Sequence, residues 1–308
     1  LKDVEPTFMG SAPRLWESLY QKIRAGIAAA HPVRRALFHI AYFLSSHYKS
    51  SRVYLAGTDL QLEPQPQWRR LLLWPVHLLR LLILLPWYGF FNAAVLETIR
   101  QSAGGSIKAT ISGGGALPAE IDRFFNVIGI PVLEGYGLTE TSPVVSARTE
   151  ENLVVGTVGP PVPGTEVRII DPETEQQLYP DSSDRHNGLG RRGEIWIRGP
   201  QVMKGYYREP ELTASTLRDG WLRTGDIGMM TFNGCLRILG RHKATVVLSS
   251  GENLEPEPIE MRLRQSPLIE NCMVIGQDQK QVGVLIIPNP EGFRGRVPFD
   301  SREELASD

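Results

Sequence analysis

The chain has 308 residues, 42% of them hydrophobic, enough for two or three packed units, and its net charge of -1 gives no global reason to expect nucleic acid as a partner. Cys235 and Cys272 form neither a C-x-x-C pair nor a disulfide framework, which indicates no zinc site and points to a reducing, cytoplasmic setting. The charge is uneven: residues 1–111 carry 13 Lys+Arg against 6 Asp+Glu, leaving 20 against 28 in the remainder, so the first third is basic.

The chain opens on Leu1, shows no charged segment followed by a signal core, and stops at a polar "SREELASD"; it reads as a fragment. Residues 13–30, "PRLWESLYQKIRAGIAAA", place Leu15, Trp16, Leu19, Tyr20, Ile23 and Ile27 on one stripe behind Pro13, which predicts an amphipathic helix. Residues 71–91, "LLLWPVHLLRLLILLPWYGFF", contain Pro75 and Pro86. If prolines break helices, the uninterrupted piece is ten residues, roughly 15 Å. That is too short for a bilayer core of about 30 Å. Two readings follow. One is a buried core helix; the other is a peripheral membrane contact held by Arg69, Arg70, Arg80 and the rings of Trp87 and Tyr88 on an anionic surface.

From residue 105 the pattern changes. "IKATISGGGALP" reads as a strand ending in a glycine loop, "AEIDRFFNVIG" as a helix closed by Gly129, and "IPVL" as a strand leading into "EGYGLTETSP". This order suits a parallel α/β layer whose loops gather at the strand ends, where such sheets bind ligands. Beyond 155, "GTEVRIID", "GEIWIRG" and "GCLRILG" have strand lengths, with a helix at "EPELTASTL". After "GRHK" come "ATVVLSSG", a helix at "PEPIEMRLR" and two strands around "GQDQK", a separate α+β unit. The expected divisions are a helical region at 1–104, an α/β layer at 105–154, a β-rich barrel-like unit at 155–240, a hinge at 241–244 and a lid at 245–308.

Tyr136 offers a face for a purine, and Gly135 and Gly137 let the backbone come close beside it. Thr139 offers a hydroxyl to a phosphate, and Glu140 a hard carboxylate to Mg²⁺, which takes only one or two protein carboxylates when phosphates fill its other positions. A turn in which Thr139 and Glu140 merely cap a helix fits the local pattern equally well. The three glycines of "SGGGALP" suit a base edge or a phosphate, but also a tight turn. Asp226, directly after a glycine in "WLRTGDIG" and expected in a tight turn, can accept hydrogen bonds from both hydroxyls of a ribose, or act as a turn-former. Arg241 and Lys243 supply cations, and Ser249 to Glu252 a polar glycine loop.

Taken together, "SGGGALP", "EGYGLTETSP", "VGPPVPGTEVRIID", "RGPQVMKGYY", "GWLRTGDIG" and "GRHKATVVLSSGENLEPEPIE" resemble the adenylate-forming superfamily, specifically its long-chain acyl-CoA and acyl-acyl-carrier-protein synthetases. The earlier "PTFMGSAPRLWESLYQKI" resembles that family's lead into its helical insertion. The resemblance implies an α/β fold: the C-terminal part of the large adenylate-forming domain, with a helical insertion and a truncated α+β lid. It implies a ligase that uses ATP and Mg²⁺ to convert a long-chain fatty acid to an acyl-adenylate. The acyl group then passes to the pantetheine thiol of CoA or acyl carrier protein. Gly114, Gly115 and Ala116 would border the adenine, with Glu134, Gly135 and Tyr136 along its other side. Thr139 would hold the phosphate, Glu140 the magnesium, and Asp226 and Arg241 the ribose. Lys243 would sit at the hinge and Gly251 would face the thiol tunnel.

The chain also departs from that pattern. Ala244 stands where the family commonly has Asp, and no "TSGTTGxPKG"-type phosphate loop or far C-terminal lysine is found. The expectation is therefore that these 308 residues alone form acyl-adenylate poorly. Two alternatives remain open: a noncatalytic nucleotide-binding or membrane-associated module, and an adenylating ligase for a different carboxylic acid.

Overall fold

The computed structural model describes residues 5–102 and 104–293. Strand β1 (Phe8–Ser11) leads into helix α1 (Pro13–Ala29), whose first turn holds Pro13 where a missing N–H costs nothing. Trp16 and Tyr20 of the expected stripe are buried and Leu19, Ile23 and Ile27 pack against the same core, but Leu15 is exposed. Helix α2 (Pro32–Ala56) follows and ends on left-handed Gly57, φ 77°. No helix was assigned there from sequence, although Phe38, Ala41, Ser45 and Tyr48 form its buried stripe.

Helix α3 (Gln67–Phe91) corrects the sequence reading on both counts. It runs unbroken through Pro75 and Pro86 and buries no residue, so it is neither a short piece nor a core helix. A proline inside a helix costs about 3 kcal/mol, chiefly by deleting one hydrogen bond and crowding the preceding turn. Here α2 packs antiparallel along α3, stacking Tyr48 on Tyr88 at 4.1 Å and Tyr54 on His77 at 3.9 Å. These contacts favour a continuous helix. A π-helical turn (Asn92–Leu96) then leads to α4 (Glu97–Ser102).

Strands β2 (Ala109–Ser112) and β3 (Val132–Gly137) flank α5 (Ala119–Ile128), and β4 (Val144–Ala147) completes a four-stranded sheet in the order β1-β2-β3-β4. The first three strands are parallel, as expected of a strand-helix-strand unit, while β4 returns antiparallel. Gly129 closes α5 with φ 90°. The last carbonyls of α5, which no helix can satisfy internally, are taken by neighbouring side chains. Ser45 donates to Val127 O at 2.6 Å, Arg100 to Ile128 O at 2.8 Å, and Lys49 to Asn126 O. The two cations also complement the negative end of the helix dipole. Burial, followed by the nearby charges of Arg100 and Arg52, lowers the Lys49 ammonium to about 8.

The second sheet contains β5 (Glu166–Ile170), β6 (Gln177–Tyr179) and β7 (Gly193–Arg198), with α6 (Pro210–Thr216) leading into β8 (Leu217–Arg218), β9 (Trp221–Met230) and β10 (Leu236–Arg241). Its order is β10-β9-β7-β5-β6, with β8 on β9, around a core of Val145, Ile169, Ile195, Ile197 and Leu236. Asp226 therefore lies within a ten-residue strand rather than in the expected tight turn. The remainder comprises the short pair β11 (Val246–Val247) and β12 (Asn253–Leu254), α7 (Pro256–Leu263), the antiparallel pair β13 (Ile269–Ile275) and β14 (Gly283–Pro288), and α8 (Pro290–Phe293). Buried Glu255 ties this part to the second sheet, accepting from Arg192 and, at 2.9 Å, from Thr245 Oγ1.

Replacing Arg100 by Met should strand the Ile128 carbonyl and destabilise the protein by about 1–3 kcal/mol, the penalty for an unmet buried polar group. Urea unfolding measures this, and an unchanged midpoint would show that the carbonyl finds another donor.

Candidate functional site

The glycine loop after β2 and the C-terminal end of β3 face a cavity of about 430 Å³. That is the size range of small-molecule sites. Gly114, Gly115, Ala116, Glu134, Gly135, Tyr136, Asp226 and Arg241, separated by more than a hundred positions in sequence, all border it. Gly114 adopts φ 78°, a left-handed conformation disfavoured for side chains with a Cβ, and nothing approaches the position a Cβ would take. The loop's backbone is thus open toward the cavity.

Glu134 holds this loop from beneath. Its Oε1 accepts from Leu117 N at 3.1 Å, while Oε2 pairs with Arg148 at 2.9 Å. Arg148 is fully buried and also pairs with Asp122 of α5 at 2.7 Å and donates to Thr157 O. One buried cation between two carboxylates leaves an excess negative charge. Burial accordingly raises the Asp122 carboxyl and moves Glu134 up to about 7, against the opposing pull of Arg148. Arg148 carried no signal in the sequence, since a lone Arg in "SARTE" matches no motif, and Leu117 and Asp122 lie in segments that were singled out without either residue being assigned.

Asp226 is aimed by a local irregularity in β9. The β7-β9 register shifts between Glu194 and Trp196, and Gly225 takes φ 69°; such bulges turn a side chain out of the regular pleat. Thr224 Oγ1 donates to Ile195 O at 2.7 Å and accepts from Asp226 N at 3.0 Å, while buried Glu194 accepts from Gly225 N at 3.2 Å. The buried carboxylate oxygens then meet partners from two directions. The Tyr136 hydroxyl donates to Oδ2 at 2.6 Å, and Arg241 Nε donates to Oδ1 at 3.1 Å. Burial raises both the Tyr136 phenol and the Asp226 carboxyl, the latter against the pull of its Tyr136 hydrogen bond and of Arg241.

Thr139, Glu140, Lys243 and Gly251 do not border the cavity. Thr139 and Glu140 form a 3₁₀ turn just beyond Leu138, which does border it. Thr141 fixes that turn: its hydroxyl accepts from Leu138 N and reaches the carbonyls of Leu138 and Pro143, all at 2.9 Å. The Glu140 carboxylate accepts from the Tyr206 hydroxyl at 2.8 Å, and its carbonyl from Met203 N at 2.7 Å. Tyr206 lies in "RGPQVMKGYY", a segment singled out in the sequence without any residue of it being assigned. Lys243 is exposed in the turn His242–Ala244, and Gly251 is exposed with φ 82°. Gly137 also departs from expectation: a Cβ there would collide with the Pro143 carbonyl, so the protein's own backbone occupies the space its bare Cα leaves.

Helix α7 forms the far wall through Glu257, Pro258, Met261 and Arg262, residues that the sequence reading quoted but did not assign. Burial raises the Glu257 carboxyl.

The family model described as AMP-binding enzyme matches residues 1–207, and that described as AMP-binding enzyme C-terminal domain matches 243–304. The chain is 39% identical to "Long-chain-fatty-acid--[acyl-carrier-protein] ligase AEE15, chloroplastic" of Arabidopsis thaliana over 100% of this chain and 43% of the relative. It is 36% identical to "Long-chain-fatty-acid--CoA ligase FadD15" of Mycobacterium bovis over 71% of this chain and 33% of the relative. Among solved structures, ATP-bound MatB from Rhodopseudomonas palustris superposes with a TM-score of 0.53 at 31% identity, covering 68% of this chain and 43% of that one. The chain thus spans less than half the length of these relatives.

The Glu134 carboxyl is at about 7 in the folded chain against an ordinary value of 4.5. The folded state therefore binds more protons than the unfolded one between these limits, and its contribution to stability is lost as pH rises through that window. Urea unfolding of Glu134→Gln across this range should show a shallower fall than the parent; an identical slope would assign the titration to another group.

Proposed function

The chain belongs to the AMP-binding enzyme family, and on that premise we propose that it forms the nucleotide site of an ATP-dependent acid-thiol ligase acting on long-chain fatty acids. The observation that carries this reading is the convergence of Tyr136, Asp226 and Arg241 at one cavity, with the Tyr136 hydroxyl 2.6 Å from the Asp226 carboxylate. A nucleoside presents its base beside its ribose diol. Here an aromatic ring and a fixed carboxylate stand in the same relation.

In this reading the backbone of Gly114, Gly115 and Ala116 meets the base edge, and Gly135 and Tyr136 cover its other side. Each Asp226 oxygen is engaged by one protein donor and retains lone-pair capacity for a ribose hydroxyl. Arg241, held through Nε on Asp226 and 69% exposed at its side chain, would present its terminal nitrogens to the sugar. Thr139 would hold the phosphate and Glu140 the magnesium that travels with it, both from the turn just beyond the cavity-lining Leu138. Among the described residues no group of three His, Cys, Asp or Glu could hold a metal alone, so Glu140 would share the ion with phosphate oxygens, as Mg²⁺ favours. Bound magnesium supplies charge neutralisation at the triphosphate. Tyr206 orients Glu140 by its hydrogen bond to Oε1.

The fatty carboxylate oxygen attacks the α-phosphorus and pyrophosphate leaves with the electrons of the broken P–O bond. The thiol of CoA or acyl carrier protein releases its proton to solvent, its sulfur attacks the acyl carbon, and AMP leaves with the electrons of the broken C–O bond. Lys243 and the adjoining turn form the hinge, Gly251 lies on the lid loop, and α7 closes over the nucleotide between these steps. Both cysteines are free and buried, which supports the cytoplasmic reading.

Calorimetric titration of AMP into this chain should give binding that Asp226→Ala weakens by about tenfold or more, the worth of a charged hydrogen bond; unchanged affinity would remove Asp226 from the site. Palmitate-dependent ATP-pyrophosphate exchange, followed by thioester formation on CoA or acyl carrier protein, tests the ligase reading in a polypeptide joining this chain to the remaining length of its relatives. Glu140→Ala should abolish exchange while sparing AMP binding. Loss of both, or of neither, would deny Glu140 the metal.

A further inference from the structure

Helix α3 is long and apolar enough by composition to cross a membrane, yet no residue of it is fully buried. Trp68, Leu71, Leu72, Val76, Leu79, Leu82, Ile83, Trp87 and Phe90 are all exposed. With 3.6 residues per turn they fall on one arc of about 160°, which exposed Trp74 and Leu85 widen on one flank to about 220°, running the roughly 37 Å length of the helix. Tyr88 and His77 lie on the opposite side, stacked on α2. The apolar arc thus points away from the folded body. A monomeric soluble surface rarely carries a contiguous apolar patch of that length.

Both ends of α3 are fastened to that body. Before it, Gln61 N donates to Asn233 Oδ1 at 2.9 Å and Asn233 Nδ2 to Gly57 O at 3.0 Å. After it, Leu96 is buried in the core and Arg100 holds the end of α5. A helix crossing a bilayer would put these ends on opposite sides; this one keeps both on the same side.

Charge identifies what the face meets. Residues 18–96 contain nine Lys+Arg and only Asp59 and Glu63 as acids. Arg69 shares the first turn of α3 with Trp68, Leu71 and Leu72 and, with Arg80, edges the apolar arc, whereas Arg70, expected from sequence at the lipid surface, turns to α2, donating to Tyr54 O at 3.0 Å and pairing with Asp59. Exposed Arg34 and Arg35 open α2, which runs antiparallel, so cations stand near both ends of the hairpin. Apolar rings and aliphatics flanked by cations match the acyl and headgroup layers of an anionic leaflet.

We propose that the α2-α3 hairpin docks flat on an anionic lipid surface, with the outer arc of α3 sunk to the depth of the headgroup-acyl boundary and the flanking arginines on lipid phosphates. The proposal does not rest on the ligase reading.

Sedimentation with vesicles of phosphatidylcholine plus phosphatidylglycerol, compared with phosphatidylcholine alone, tests it. The chain should pellet with the anionic vesicles, less so as salt is raised, and its tryptophan emission should shift to the blue. The triple variant Leu72→Glu, Leu79→Glu, Ile83→Glu and the double variant Arg34→Glu, Arg35→Glu should each lower the partition by about tenfold or more. All five positions are outside the packed core, so the circular dichroism of the variants should match the parent. Four results would overturn the proposal: no pelleting with anionic vesicles; equal pelleting of parent and variants; lipid-independent self-association that the triple variant abolishes; or pelleting lost when the chain is joined to the remaining length of its relatives, which would make another part of the polypeptide the occupant.

Discussion

The buried Arg148 guanidinium is the interaction on which one wall of the cavity depends. It reaches Asp122 on α5, Glu134 on β3 and the Thr157 carbonyl at once, joining helix, strand and the connection toward the second sheet. A buried charge without such partners would be strongly destabilising, and removing any one partner leaves the others uncompensated. Because Glu134 spends its second oxygen on Leu117 N, the same cation also sets the height of the glycine loop over the cavity. Electrostatic pairing inside the core thereby becomes the geometry of a binding surface.

The second sheet contributes the complementary wall through a defect in its own regularity. A perfect β9 would alternate its side chains between sheet faces. The register shift beside Glu194 and the positive φ of Gly225 turn Asp226 toward Tyr136 instead. The two sheets are joined through Leu236, which exchanges backbone hydrogen bonds of 2.8 Å with Val158 and Gly159. Tyr136 and Asp226 are therefore held by rigid elements, as a preorganised site requires. The turn carrying Thr139 and Glu140 is likewise fixed, by Thr141, so the groups read as phosphate and metal contacts are positioned without a ligand to order them.

The helical hairpin obeys a different physics. Its inner side packs aromatic rings between α2 and α3, and its outer side leaves leucines and tryptophans in solvent. In the proposed function, adenylate chemistry would call for a polar, enclosed pocket, whereas a long-chain substrate would reside in lipid. An apolar helix anchored at both ends to the body that carries the pocket would keep the two environments close together.

Local sequence was enough for what depends on short-range pattern. The stripe of α1, the stop at Gly129, α5 between parallel strands, α7 and the β13-β14 hairpin all follow from apolar periodicity and glycine punctuation, because those signals act within one or two turns of chain. The ordered motifs likewise gave the family, and they singled out Tyr136, Asp226 and Arg241, which the fold brings to one cavity. Tertiary structure decided the rest. That α3 continues through Pro75 and Pro86, and that its apolar face is outward, depends on α2, which lies elsewhere in the chain. That Glu134 supports a loop, that Gly137 makes room for Pro143, and that Asp226 sits on a bulged strand depend on partners up to dozens of residues away. Propensity is a property of neighbours in sequence, whereas hydrogen-bond satisfaction and burial belong to neighbours in space, and only folding brings those together.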